Sequence, residues 1–281
     1  MARITVEQIL KRHKRADARK EEWRSVYEEA YEYCLPMRNL YETYESRSRG
    51  ARKNDRLFDS TAVASTQGFA NRLQSTLFPP YRSWCRLEPG SHIPPEASQQ
   101  VQQMLDFYRE MMFSTLRQSN FDLALGEFLL DLAVGTAVML VEKGTSTEPI
   151  RYTAVPAFLV SLEEGPHNTV ENVYRKVRMR PDLIQRTYPA AELNDELQRL
   201  MSDQPEEELD LLEATIYDED RGEYCFHVIH PGSKHLLLVR YSLTSPWIVS
   251  RFSKTAGEIY GRGPILSCLA DIKTLNKARE F

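Results

Sequence analysis

The chain holds 281 residues, 42% hydrophobic and 27% charged, with a formal net charge of −4. That composition belongs to one large or two ordinary folded domains and excludes wholesale disorder. The acidic balance excludes a surface that grips duplex DNA all over, because tight binding needs a basic face against one phosphate charge per roughly 1.7 Å.

Charge is uneven along the chain. The first 20 residues carry Arg3, Lys11, Arg12, Lys14, Arg15, Arg19 and Lys20 against Glu7 and Asp17, whereas 206–223 carry nine acidic side chains against Arg221. Both blocks read first as solvated faces. Cys34, Cys85, Cys225 and Cys268 are far apart and form no CxxC pair, which predicts a reducing compartment. The opening MARITVEQILKRHKR lacks the apolar core of a signal peptide. The most apolar window, LALGEFLLDLAVGTAVMLV (123–141), contains Glu127 and Asp131. A carboxylate at the bilayer centre costs about 2.5–3.5 kcal/mol, so the window reads as a core helix running into a strand, with no membrane partner.

The first 120 residues read as helical. Trp23, Val26, Tyr27, Ala30, Tyr31 and Cys34 form one apolar stripe that Pro36 ends. RSRGARKND (47–55) is a basic connector. Asp59 or Ser60 caps the next helix, which Pro79 and Pro80 stop. After Pro94-Pro95 comes a strongly periodic helix, with Val101, Met104, Leu105, Tyr108, Met111, Met112 and Thr115 expected in the core. Asn120 caps a fourth helix that ends at Gly135. The period then changes to that of strands over TAVMLVEKG, RYTAVPAFLVSLEEG and TVENVYRKVRM. PDLIQRTYP and AELNDELQRLMSDQ read as helices. LLEATIYD, YCFHVIH, KHLLLVRYSL and PWIVSRF read as four strands of a small β-rich module, and a helix follows Pro264. The order predicts an α+β fold.

EIYGRGPILSCLADIKTLN (258–276) raises the question of a phosphate loop. A P-loop needs GxxxxGK[ST] and a Rossmann turn needs a third glycine where Leu266 stands, so the nucleotide reading is the weaker one. The stronger reading is a tight turn into a helix. Gly261 and Gly263 permit positive φ and close backbone approach, and Pro264 suits the first helical position. Cys225, His227, His230 and His235 cluster within one segment, but strand parity splits them and no second cluster completes a metal site. No GxSxG or HExxH is present, so neither catalytic residues nor cofactors are expected.

Three stretches together resemble a known family: RLFDSTAVASTQGFANRLQSTLFPPYRSWCRL (56–87), SPWIVSRFSKTAGEIYGRGP (245–264) and LADIKTLN (269–276), with WRSVYEEAYEYCLP (23–36) in support. The chain is similar to the head-to-tail connector, or portal, proteins of short-tailed bacteriophages (podovirus type). The family-like positions are Asp59, Ser60, Thr61, Phe78, Pro79, Pro80, Asp271 and Asn276.

The resemblance implies a non-enzymatic ring of about twelve subunits at one capsid vertex. Double-stranded DNA passes through that ring during packaging and ejection. The implied partners are terminase, tail adaptors, and the major capsid and scaffolding proteins. The implied location is the virion, after synthesis in the host bacterial cytoplasm. The resemblance assigns 1–189 to a wing region, 190–207 to a first stem helix, 208–260 to a β-rich clip and 261–281 to the start of a second stem helix. It makes Tyr260, Gly261, Arg262, Gly263 and Pro264 a clip-to-stem hinge. Lys273 and Lys277 become candidates for the channel wall, and Asp218, Glu219, Asp220 and Arg221 candidates for terminase or tail docking. Such proteins are usually longer, so on the resemblance this sequence reads as an N-terminal portion or a non-assembling prophage remnant. Two alternatives stay open: a phage DNA- or nucleotide-processing enzyme, and a nucleic-acid-binding module built on the basic N-terminus.

Overall fold

A computed structural model describes residues 4–38, 56–203 and 206–281; the connector at 47–55 lies outside them. Two helices come first, α1 (Val6–Glu21) and α2 (Arg24–Cys34). Thr5 and Gln8 close a reciprocal capping box that starts α1. Then follow α3 (Thr61–Leu77), α4 (Pro95–Arg117) and α5 (Phe121–Val134). Strands β1 (Thr136–Lys143), β2 (Ile150–Val155), β3 (Val160–Glu164) and β4 (Val170–Met179) lead to α6 (Pro181–Thr187) and α7 (Asp195–Asp203). The chain continues through β5 (Leu209–Asp218), β6 (Glu223–His230), β7 (His235–Ser242), β8 (Trp247–Arg251) and α8 (Pro264–Glu280). The fold is α+β, with two antiparallel sheets.

Sheet order is β2-β1-β8 in the smaller sheet and β3-β4-β5-β6-β7 in the larger. The four strands expected across 208–260 all form, but they do not close into a module of their own. β5 pairs with β4, and β8 crosses to pair with β1. Hairpin spacing reports which strands are neighbours in the chain; it carries no information on which free edge a later strand joins. Trp247 marks the crossing. It is buried where the sheets meet, and its indole N–H donates to Thr215 Oγ1 at 2.9 Å.

The larger sheet is covered on both faces. Alternation along β5 sends Leu209 and Leu211 toward α6 and α7, where Ile184, Tyr188 and Leu197 are buried. Leu212, Ala214 and Ile216 point the other way, onto Ile9 and Ala16 of α1. The helix expected in 190–207 is therefore α7, a nine-residue piece lying on the sheet. A second core joins α2, α5, β1 and the start of α8 through Tyr31, Val134, Val138 and Ile265.

Two local expectations change. Asn120 stands at the start of α5, yet its amide bridges the backbone of β2: Tyr152 N–H donates to Oδ1 at 2.8 Å, and Nδ2 donates to Tyr152 O at 2.7 Å. The methionine stripe of α4 is not core. Met104, Tyr108, Met111 and Met112 are exposed, and only Phe113 of this helix is buried. Periodicity shows that a helix has an apolar face; it does not say whether the same chain covers it.

The docking of α1 is expected to depend on pH. His13 lies 5.7 Å from the Tyr174 ring, and its Nε2 has no hydrogen-bond partner among the described residues. Burial pushes its pKa from 6.5 down to about 4, with Asp17 opposing. A depressed histidine stabilises the fold fully above its unfolded value and loses that contribution as pH falls toward 4. Burial lowers His230 as well, and so adds the same sign. The urea midpoint is expected to fall between pH 7 and pH 4.5, and His13→Gln to flatten that fall. An unchanged slope in the variant would remove His13 from the account.

Candidate functional site

The turn before α8 is closely packed against the junction of α5 and β1. α5 ends at Gly135, whose φ of 157° and ψ of −43° suit glycine, and β1 starts directly after it. Residues 261–263 lie across that junction. Gly263 N–H donates to Val134 O at 2.8 Å, and Phe252 N–H donates to Gly135 O at 2.9 Å. Gly261 N–H donates to Thr136 Oγ1 at 2.8 Å. From α2, the Tyr27 hydroxyl donates to Gly261 O at 2.6 Å and lies 2.9 Å from Thr136 Oγ1.

Backbone therefore touches backbone. A Cβ on Gly263 would collide with the carbonyl of Ala133, and a Cβ on Gly261 with the carbonyl of Gly135. Close approach is why both are glycine; neither has positive φ. Pro264 stands in the first turn of α8, as expected.

Side chains lock the same turn from both sheets. Tyr260 is buried; its hydroxyl accepts from Leu162 N–H at 3.2 Å and donates to Val160 O at 3.3 Å. Arg251 pairs with Glu164 at 2.7 Å and donates to Ile259 O at 3.1 Å. Arg262 pairs with Glu258 at 2.7 Å and lies over the Trp23 ring at 4.9 Å. The turn is a fixed node that aims α8, held by α2, α5, β1 and β3.

The family-like residues at the two ends of the sequence meet in space. Asn276 of α8 is buried, and its Oδ1 accepts from Phe58 N–H at 2.7 Å and Asp59 N–H at 3.0 Å. Its Nδ2 donates to Arg56 O at 2.8 Å. Asp59 Oδ1 accepts from Thr61 N–H at 2.9 Å, so Asp59, not Ser60, caps α3. Arg279 pairs with Asp59 at 3.4 Å. The run before α3 is thus tied to α8 by one amide. Asn276→Ala strands three backbone groups and is expected to cost about 2–3 kcal/mol at ~1 kcal/mol per bond. Faster amide exchange at 58–61 would accompany that loss; unchanged exchange would refute the role.

Phe78, Pro79 and Pro80 end α3, and Phe78 packs edge-on against Trp84 and Phe121 at 5.0 and 6.2 Å. Asp271 is exposed on α8, beside a groove between α8 and α3. Lys273 pairs with Glu29 of α2 at 3.1 Å; Lys277 pairs with Glu280 at 2.6 Å. Asp218–Arg221 form the turn from β5 to β6: Gly222 N–H donates to Asp218 O at 2.8 Å, and Arg221 lies over Tyr241 at 4.6 Å. The cysteine–histidine segment is built into the sheet. Cys225 and His227 are buried, His230 meets Ser233 at 2.7 Å, and His235 meets Glu192 O at 2.7 Å. Among the described residues no group of three or more His, Cys, Asp or Glu could hold a metal ion, and no helix is long and apolar enough to cross a membrane.

The basic N-terminal block is partly spent inside the chain. Arg12 pairs with Glu163 at 2.9 Å, and Lys20 pairs with Asp17 at 2.7 Å while donating to Phe158 O at 3.0 Å. Lys176 reaches Asp17 at 2.7 Å as well. These contacts hold the Asp17 carboxyl below the usual range even though burial alone would raise it.

One arrangement escapes sequence reasoning. Asp131 of α5 is fully buried; Arg38 Nε reaches Oδ1 at 3.0 Å and its terminal nitrogen reaches Oδ2 at 2.6 Å. The Tyr31 hydroxyl donates to Oδ1 at 2.9 Å. The one signal was a carboxylate inside the most apolar window; its partner sits 93 positions away.

Every tightly built feature described above fixes one element against another within the α+β fold. Residues 6–280 match the family of bacteriophage head to tail connecting proteins, and the chain belongs to that family. No curated protein matches it. Membership implies a place in the phage particle, at the junction of head and tail, with capsid and tail proteins around it.

Proposed function

We propose that the chain is a subunit of the ring at one capsid vertex, through which phage DNA is packaged by terminase and later leaves. The observation that carries this reading is the family match over residues 6–280. The net charge of −4 supports it, since a channel that lets a duplex slide does not call for many counterion-releasing contacts. In this reading the node at 260–264 sets the angle of α8 to the rest of the subunit. The acidic turn Asp218–Arg221, at one end of the larger sheet, is the surface offered to terminase and tail adaptors. Both lysines pair within the chain, and Lys277 is the better candidate for the channel wall because its side chain is the more exposed, 64% against 42%.

Native mass spectrometry with negative-stain microscopy tests the reading on the purified chain. Closed rings of about a dozen copies support it. A monomer at high concentration, or a dimer stabilised by nucleotide, would overturn it.

A further inference from the structure

α4 leaves an unusual face in solvent. Met104, Phe107, Tyr108, Met111 and Met112 are 55, 62, 47, 52 and 47% exposed. They share one side of the helix, and over roughly five turns, from Ala97 to Thr115, that side carries no charged residue. Asp106, Arg109 and Glu110 all lie on the other sides. A helix face meant for water carries charge, so this one is built for contact. The helix docks on its own subunit by the opposite side. Phe113 meets the Trp84 ring at 5.4 Å, and Gln102 donates to Leu87 O at 3.1 Å.

At ~200 Å² per large side chain the five residues present about 500 Å² of apolar surface. A typical monomer's largest patch is roughly 300–600 Å², and a standard interface takes about 800 Å² from each partner. The stripe alone supplies more than half of one side of such an interface. The same chain offers a concave counterpart. Between α3 and α8 runs a groove of about 370 Å³, lined by Ala62, Ser65, Phe69, Cys268, Ile272 and Leu275.

We infer that α4 of one subunit seats its methionine–aromatic face in the α3–α8 groove of the next copy. This rests on the ring reading above. The two surfaces differ, so the contact is head-to-tail, the kind that generates rings; an α4-to-α4 contact would be two-fold and stop at a dimer. Methionine suits the role because its flexible thioether adapts to a groove formed by another chain.

The test uses the full chain. Tyr108→Lys with Met111→Lys is expected to abolish rings in native mass spectra, while circular dichroism and the urea midpoint of the subunit stay unchanged because both positions are exposed. Single cysteines at 107, 108, 111 and 112 give the second measurement. At least one should form an intersubunit disulfide with native Cys268 under mild oxidation, and Cys268→Ser should remove it. Rings that persist in the double-lysine variant overturn the inference and leave the ring reading standing. So does a complete lack of cross-linking in rings that do form. A wild-type chain that never assembles overturns both.

Discussion

An Arg38→Met protein is expected to lose about 3–5 kcal/mol of stability at pH 7. The loss comes less from the missing attraction than from what stays behind, a carboxylate with no exposure and no cation beside it. Burial raises the pKa of Asp131, and Arg38 and Tyr31 oppose that shift. Removing Arg38 removes the main opposing charge. The double variant Arg38→Met, Asp131→Leu is expected to recover most of the loss, since replacing both partners of a buried pair with apolar groups of similar size is often neutral. Tyr31→Phe removes the hydroxyl's bond to Asp131 and leaves Arg38 in place, and should cost about 1 kcal/mol. Urea unfolding followed by tryptophan fluorescence measures all three. A cost below ~1 kcal/mol for Arg38→Met would mean that the pair is hydrated and unimportant.

Gly263→Ala is expected to cost about 3 kcal/mol or more, a value in the range reserved for broken backbone contacts and core damage. The new methyl group meets the Ala133 carbonyl, not a side chain that can rotate away. Relief needs α8 to move off α5, and that breaks the bond from Gly263 N–H to Val134 O. Gly68 provides the internal control. It lies within α3 with open space for 4 Å around the position an alanine methyl would take, so Gly68→Ala should gain about 0.5–1 kcal/mol from helix propensity. If both alanines behave alike, the contact at 263 is not a constraint. On the proposed ring reading, Gly263→Ala is also expected to reduce assembly more than its stability loss alone would, because the node aims α8.

Helix ends and strand runs were legible because their causes are local. Pro79-Pro80 stops α3, Pro264 starts α8, and Gly135 ends α5, each through its own backbone geometry. The alternation that splits Leu211 from Leu212 across the larger sheet is likewise written in a few adjacent residues. The family-like residues could be picked out singly, but not their partnership. Asp59 and Asn276 read as two separate motifs, and only the folded chain brings them within 3.0 Å.

What the sequence determined by itself was the α+β class, most element boundaries, and the glycine-proline turn as a tight structural feature. Tertiary structure alone decided the rest. It joined β8 to β1, tied Arg38 to Asp131, laid Gly263 against Ala133, and left the α4 stripe uncovered. The physical reason is one of range. Helix and strand periods are set by backbone geometry over a few residues, whereas an edge pairing, a buried ion pair or an exposed face depends on what arrives from far along the chain, or from another chain.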